Sequence, residues 1–375
     1  DDFQRAAEEM GVPPTDDFNG GDNEGAGYFE VNQNGGRRWS AARAFLKPAL
    51  KRPNLRLLTH AHVQKITFED GRANAVTLTH KGSVFQATAK SEIILAAGAI
   101  HSPALLEASG IGQGERLKKA GIDVHRDMPD VGENLQDHLQ LRMIFRVENA
   151  RTLNQVANSW AGKIGMGARY LWNRSGPLSM APSQFGIFTK SSSEIATPDL
   201  EYHIQPLSTD KLGEPLHPYP AVTVSVCNLR PESRGSTHIS STEPSAPPEI
   251  SPRYLSARRD VEVAVCALRQ ARHLMTMPAL KKYAPHENLP GADITDDASL
   301  ARAAGDIGTT IFHPVGTCRM GVDDAAVVDP QLRVRGVTGL RVVDASIMPH
   351  IVSGNTASPV VMIAEKAADM ILRSA

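Results

Sequence analysis

Two short stretches near the end of the chain each hold a side chain capable of proton or hydrogen-bond chemistry. The first is Phe312-His313-Pro314-Val315-Gly316-Thr317, and the second is Ser353-Gly354-Asn355-Thr356. A neutral imidazole is available near pH 7, so His313 has the chemistry of a general base. The carboxamide of Asn355 can hold an oxygen as charge develops on it, but it cannot exchange protons as a second histidine could. Its plainer reading is a helix N-cap, because a helical pattern starts a few residues later. Other chemistries lack their residues. There are 13 histidines but no HExxH, and His60 with His62 is a strand-period pair alone, so no metal site is expected. Cys227, Cys266 and Cys318 are too few and too scattered for a disulfide framework or a CxxC zinc pair. They read as reduced thiols of a cytoplasmic protein, with Cys318 packed rather than nucleophilic. No Gly-x-Ser-x-Gly elbow occurs, which excludes the serine hydrolases built on it.

Elements must carry these side chains to one place, and the hydrophobic pattern indicates which. The chain has 375 residues, a length that fits about two domains, and 41% are hydrophobic, enough for sizeable cores. A formal charge of −1 argues against a nucleic-acid binder. No apolar run approaches the length of a membrane span. Residues 55–59, 62–68, 73–78, 84–87 and 92–96 read as short strands, with Asp70-Gly71 and Lys81-Gly82 as turn pairs between them. The run Ile93-Ile94-Leu95-Ala96-Ala97 has the look of a strand buried on both faces, ending at Gly98. Ser102-Pro103 then reads as N-cap and first residue of a helix to about Ala108. Strand, glycine turn and helix is the grammar of a doubly wound α/β sheet. From about Glu148 prolines cluster, strands are expected over 221–229 and 236–240, and a helix over 258–275. That stretch reads as a second, mostly antiparallel α+β domain with a helical cover. The last stretch returns to a strand over 340–343 and an amphipathic helix over 359–372.

Four blocks occur together and in order: residues 36–46, residues 98–112, Val131-Gly132-Glu133-Asn134-Leu135-Gln136-Asp137-His138, and the C-terminal set of 312–321, 342–349 and 353–356. In these the chain resembles the glucose–methanol–choline (GMC) oxidoreductases, a family of FAD-dependent alcohol dehydrogenases and oxidases, over nearly its whole length. The resemblance implies an FAD-binding Rossmann-like domain over 1–147, a substrate-binding domain over 148–304, and a return to the first domain over 305–375. It implies that His313 takes the hydroxyl proton of an alcohol while hydride leaves for flavin N5, and that Asn355 is the second active-site residue. Asp344 and Ala345 would lie against the FAD pyrophosphate and ribityl chain, Val63 near adenine, and Ala97 and Gly98 on the ADP half. Asn355 and Thr356 would bring the N-terminal end of the last helix to the flavin pyrimidine ring. The block 131–138 shapes a loop beside the cofactor and receives no chemical role.

One part of the family's pattern is not found. The dinucleotide fingerprint GxGxxG, with its following acidic residue, is missing; Gly110-Ile111-Gly112-Gln113-Gly114-Glu115 comes closest and has Glu where the last glycine belongs. The FAD-binding domain is therefore expected to lack its N-terminal βαβ unit, and these residues alone to bind FAD weakly or not at all and to be inactive. A flavin-free remnant serving only as a binding module is the reading from a different class.

Substrate preference rests on 176–193, which contain no acidic side chain and place Gln184 where the choline branch has Glu. With the broad-branch look of Arg230-Pro231-Glu232-Ser233-Arg234-Gly235, this favours an uncharged primary alcohol over choline, with Gln184 as a candidate substrate contact. Oxygen or a quinone would reoxidise the flavin; a quinone-linked enzyme would sit peripherally at the inner membrane.

Overall fold

The structure is a computed structural model that describes residues 1–181, 183–211 and 213–374. The chain forms two compact units whose segments alternate: residues 1–57, 139–229 and 259–309 make one, and residues 58–138, 230–258 and 310–375 the other. Residues 1–57 thus pack with the middle of the chain, and 230–258 with the segments that carry His313 and Asn355. This grouping by packing differs from the segments 1–147, 148–304 and 305–375.

The second unit opens with a three-stranded antiparallel sheet of Ala61–Glu69, Arg72–His80 and Ser83–Thr88. Both of its turns are two residues long. Asp70, Gly71, Lys81 and Gly82 all have positive φ (48°, 74°, 51° and 80°), the twist that lets a two-residue hairpin match its strands. The strand expected over 55–59 does not form; residues 55–58 carry no strand, and Leu55 and Leu57 lie exposed. That run is short, follows Pro53, and finds no neighbouring edge to pair with, so its apolar content alone does not make a strand.

Ile93–Leu95 pairs in parallel with Leu340–Val342, in register from Ile93↔Leu340 to Leu95↔Val342. The expectation of burial on both faces holds for Leu95 (5% exposed) but fails for Ile94, which is 44% exposed. Among the described residues this parallel sheet has only two strands, and the face that carries Ile94 is left uncovered. Beneath the other face lies the unit's core, which includes Leu95, Leu106, Val131, Val315, Cys318, Val328, Val342, Ile347 and Ile363.

The helix after the first parallel strand is longer than expected. It runs Gly98–Ala108, so Ser102 and Pro103 lie inside it rather than at its start. Proline has no N–H to give the carbonyl four residues back, which here is Ala99. The hydroxyl of Thr317 donates to that carbonyl instead, at 2.6 Å, and both groups are buried. The last helix runs Ala357–Ser374 and turns Ile363 and Ala367 into the core.

The first unit is built on a seven-stranded sheet. Six strands follow the order Gly25–Tyr28, Phe185–Thr189, Leu200–Gln205, Ala221–Asn228, Leu139–Arg146 and His286–Leu289, each antiparallel to its neighbour. Gly308–Thr310 is the seventh. The helix Arg258–Met275 falls where its pattern puts it. Val263, Ala264, Ala267, Leu268, Ala271, Leu274 and Met275 are buried at helical spacing. Tyr202 ties the sheet to this helix, donating its phenolic hydrogen towards Ala267 O (3.3 Å) and Gln270 Oε1 (3.2 Å). The whole is a mixed α/β fold in which antiparallel sheet dominates.

Candidate active site

The carboxyl ends of the two parallel strands form the first half of the site. Asp344 leaves the strand Leu340–Val342 almost fully buried. Its Oδ2 accepts from Gly98 N (2.9 Å) and Ser102 Oγ (2.5 Å), and its Oδ1 from Ser346 N (2.8 Å) and Ser346 Oγ (2.5 Å). One carboxylate therefore locks the turn after each parallel strand to the other. Gly98 takes φ +81°, and a methyl group placed on it would meet nothing within 4 Å. Ala96 and Ala97 are exposed beside it. The surface here is small, open and apolar, the kind of place where doubly wound folds receive ligands.

The second half gathers around His313, which is 8% exposed. Its main-chain N donates to Asp137 Oδ1 at 2.9 Å. Asp137 Oδ2 accepts from Thr310 Oγ1 and Tyr254 Oη, each at 2.5 Å. Burial first, and then the neighbouring Asp137 carboxylate, push the Tyr254 phenol far above its usual range, so it stays a donor. The segment ahead of His313 is fixed by Phe312 N donating to Thr310 Oγ1 (2.8 Å) and Ile311 N to His138 O (3.2 Å). Two side chains approach the imidazole within hydrogen-bonding distance at its two nitrogens. Its Nδ1 lies 3.1 Å from His138 Nδ1, with the rings nearly perpendicular, and its Nε2 lies 3.4 Å from Asn355 Nδ2.

The segment leading to Asn355 is held from the same side. Gln136 Nε2 donates to Pro349 O (3.0 Å) and its Oε1 accepts from Ile351 N (3.2 Å); Asn134 Nδ2 donates to Gly316 O (3.1 Å) and towards Pro349 O (3.3 Å). Between them, Asn134, Gln136, Asp137 and His138 touch both the His313 loop and the segment leading to Asn355. The block is pinned in turn by His238, whose Nδ1 meets Glu107 Oε1 (2.8 Å) and whose Nε2 meets Glu133 Oε1 (3.1 Å).

The structure therefore brings together His313 and Asn355, and separately Ala97, Gly98, Asp344 and Ala345. Thr356 is buried at the start of the last helix, where its carbonyl accepts from Val360 N (3.1 Å). Val63 lies on an edge strand, pairs with Leu78 on one side only, and is 36% exposed. Gln184 belongs to the other unit, half-buried, with its carbonyl accepting from Phe29 N (2.8 Å). Cys318 is fully buried, and burial pushes its thiol well above the normal range, in keeping with a packed side chain. Among the described residues one buried trio, Glu201, His203 and Cys227, sets possible ligand atoms within 4.8 Å of one another. Glu201 and His203 alternate on one strand, and Cys227 is the cross-strand partner of Glu201. The reading of the sequence assigned no role to Asp137, His138, Tyr254 or Thr310. The available signal was the run of four polar residues around one buried leucine in 134–138.

Comparison with known proteins identifies the family of the chain. Models described as GMC oxidoreductase match residues 1–140 and 231–364. The alcohol dehydrogenase [acceptor] of Pseudomonas putida is 40% identical over 375 residues, covering 99% of this chain and 68% of that protein. The mitochondrial choline dehydrogenase of Homo sapiens is 40% identical over 374 residues, 98% of this chain and 62% of that protein. Of solved structures, pyridoxine 4-oxidase from Mesorbium loti superposes with a TM-score of 0.86 at 31% identity, over 98% of this chain and 68% of that one. The chain thus spans about two thirds of the length of these relatives.

Proposed function

Since the chain belongs to the GMC oxidoreductase family, whose cofactor is FAD, we propose that it carries the catalytic residues of an enzyme that oxidises a primary alcohol to the aldehyde. The observation that carries the reading is the 3.4 Å approach of His313 Nε2 to Asn355 Nδ2, from residues 42 apart in sequence. In this reading the alcohol O–H donates to His313 Nε2, which takes the proton. The Asn355 amide N–H donates to the substrate oxygen and holds it as negative charge grows there. When bound, FAD supplies the acceptor for the hydride leaving the adjacent carbon. The small, open surface of Ala97, Gly98 and Ala345 fits a large planar cofactor. Asp344 serves that surface indirectly, by fixing its turns, because both its oxygens are engaged by the protein. Val63, Asn355 and Thr356 complete the proposed cofactor contacts. The unit that holds His313 is assigned to FAD and the seven-stranded unit, with Gln184, to the substrate.

Choline is the second reading, favoured by the 40% identity to a choline dehydrogenase. Against it stands the lack of any acidic side chain over 176–193 to face a quaternary ammonium group. The acceptor that reoxidises the flavin is oxygen or a quinone.

The test is anaerobic reduction of the flavin-loaded enzyme by benzyl alcohol and by choline, followed in the visible spectrum. His313→Ala is expected to slow bleaching by about 10²- to 10⁴-fold with flavin content unchanged. An undiminished rate removes His313 from the base role, and faster turnover of choline than of benzyl alcohol overturns the substrate preference.

A further inference from the structure

We propose that His138 is the positioning residue that sets the tautomer of His313, keeping its proton on Nδ1 and the lone pair on Nε2. The inference rests on His313 acting as the base. Two unprotonated nitrogens repel, and two N–H groups repel, so a 3.1 Å approach of Nδ1 to Nδ1 requires that one ring donates and the other accepts. The other end of His313 decides which. Asn355 presents its amide nitrogen, a donor, to Nε2; Nε2 is therefore the lone-pair end. The His313 proton lies on Nδ1 and points at the lone pair of His138 Nδ1, and His138 keeps its own proton on Nε2.

A neutral histidine side chain in water favours the opposite form, with its hydrogen on Nε2. In that form His313 would turn an N–H towards Asn355 and have no lone pair there to accept a proton. His138 is suited to prevent this. It is fully buried, its ring stands at 84° to that of His313 with centroids 5.3 Å apart, and its own carbonyl accepts from Ile311 N, two residues before His313. Main chain and side chain of one residue thus hold the base loop and the base. When His313 takes a proton at Nε2, its Nδ1–H still donates to His138, which spreads the new positive charge without any carboxylate in the pair. The arrangement performs the orienting task of the aspartate in a serine-protease triad, with a neutral ring in place of the acid.

The decisive measurement is the ring ¹⁵N spectrum of the histidine-labelled protein, with the His313 signals assigned by their loss in His313→Gln. The neutral His313 is expected to show a protonated Nδ1 and an unprotonated Nε2. His138→Phe, which keeps a ring but removes the acceptor, is expected to invert that pattern and to slow flavin reduction by about 10²-fold or more in the loaded enzyme. His138→Asn, whose amide oxygen falls near the place of Nδ1, is expected to restore the wild-type pattern and to bring the rate within about tenfold. A protonated Nε2 in the unaltered protein, or an unchanged pattern in His138→Phe, overturns the proposal whatever the activity. Should His138→Phe not fold, the unaltered protein and His138→Asn decide it by the same spectrum. The spectrum needs no turnover, so a protein with the expected tautomer that oxidises no alcohol would sink the assigned reaction and leave the role of His138 standing.

Discussion

At the scale of single residues, the pattern around His313 is one carboxylate serving three donors. Asp137 is 7% exposed and accepts from His313 N, Thr310 Oγ1 and Tyr254 Oη. An amide in its place offers one oxygen, and its NH₂ group would face a donor hydrogen on the other side. Asp137→Asn is therefore expected to cost about 1–3 kcal/mol of stability, the usual penalty for stranding a buried donor, measured by denaturant unfolding. A variant as stable as the parent would mean that the three donors find other partners, and that Asp137 does not hold the His313 loop. His313 and Asn355 could be named from the sequence because each falls at a motif position of the family that the chain resembles; their residue types alone, among 13 histidines, would not have singled them out. Asp137 and His138 were not so named. Their meaning lies in what they touch more than a hundred residues away, from 117 for Asp137 to Tyr254 up to 176 for Asp137 to His313, and no local spacing reports a contact made by the fold.

Among elements, those stabilised by their own sequence were the legible ones. The two hairpins carry the turn pairs Asp70-Gly71 and Lys81-Gly82, which admit positive φ, and the helix Arg258–Met275 carries an apolar stripe at its own period. The helix Gly98–Ala108 was misread at its start, because a proline after a serine is a common opening and here is an interior position. What permits it lies far off in sequence: the Thr317 hydroxyl caps the Ala99 carbonyl that Pro103 leaves without an N–H. The interior proline is thus tied to the loop that carries His313. Thr317→Val keeps the shape and removes the donor, leaving a buried carbonyl unsatisfied. It is expected to lower stability by about 1–3 kcal/mol, where an exposed threonine would give almost nothing. The same change in a Pro103→Ala background should cost less, since alanine restores the N–H for Ala99. A thermal-shift cycle over the four proteins measures that coupling, and equal costs in both backgrounds would refute the link between proline and threonine.

For the whole molecule, the turns that face the proposed cofactor surface have committed their charged and polar groups inward. Asp344 takes the Gly98 N–H, and Ser102 and Ser346 also turn to Asp344. What remains outward is small and apolar, Ala96 and Ala97, with Ile94 44% exposed on the adjoining strand. Such a surface offers the FAD pyrophosphate no side-chain charge, and the Gly98 N–H at the start of the helix Gly98–Ala108 is already taken by Asp344. The fingerprint that supplies free N–H donors, GxGxxG after a strand, is not present in these 375 residues. These residues by themselves are accordingly expected to hold FAD weakly. In a titration followed by flavin fluorescence, quenching should need a large excess of protein, and gel filtration should strip the flavin. Stoichiometric flavin that survives gel filtration would show that Ala97, Gly98 and Ala345, with their neighbours, hold the phosphates without the fingerprint. The anion would then have to be bound by main-chain donors other than Gly98, which is already engaged by Asp344.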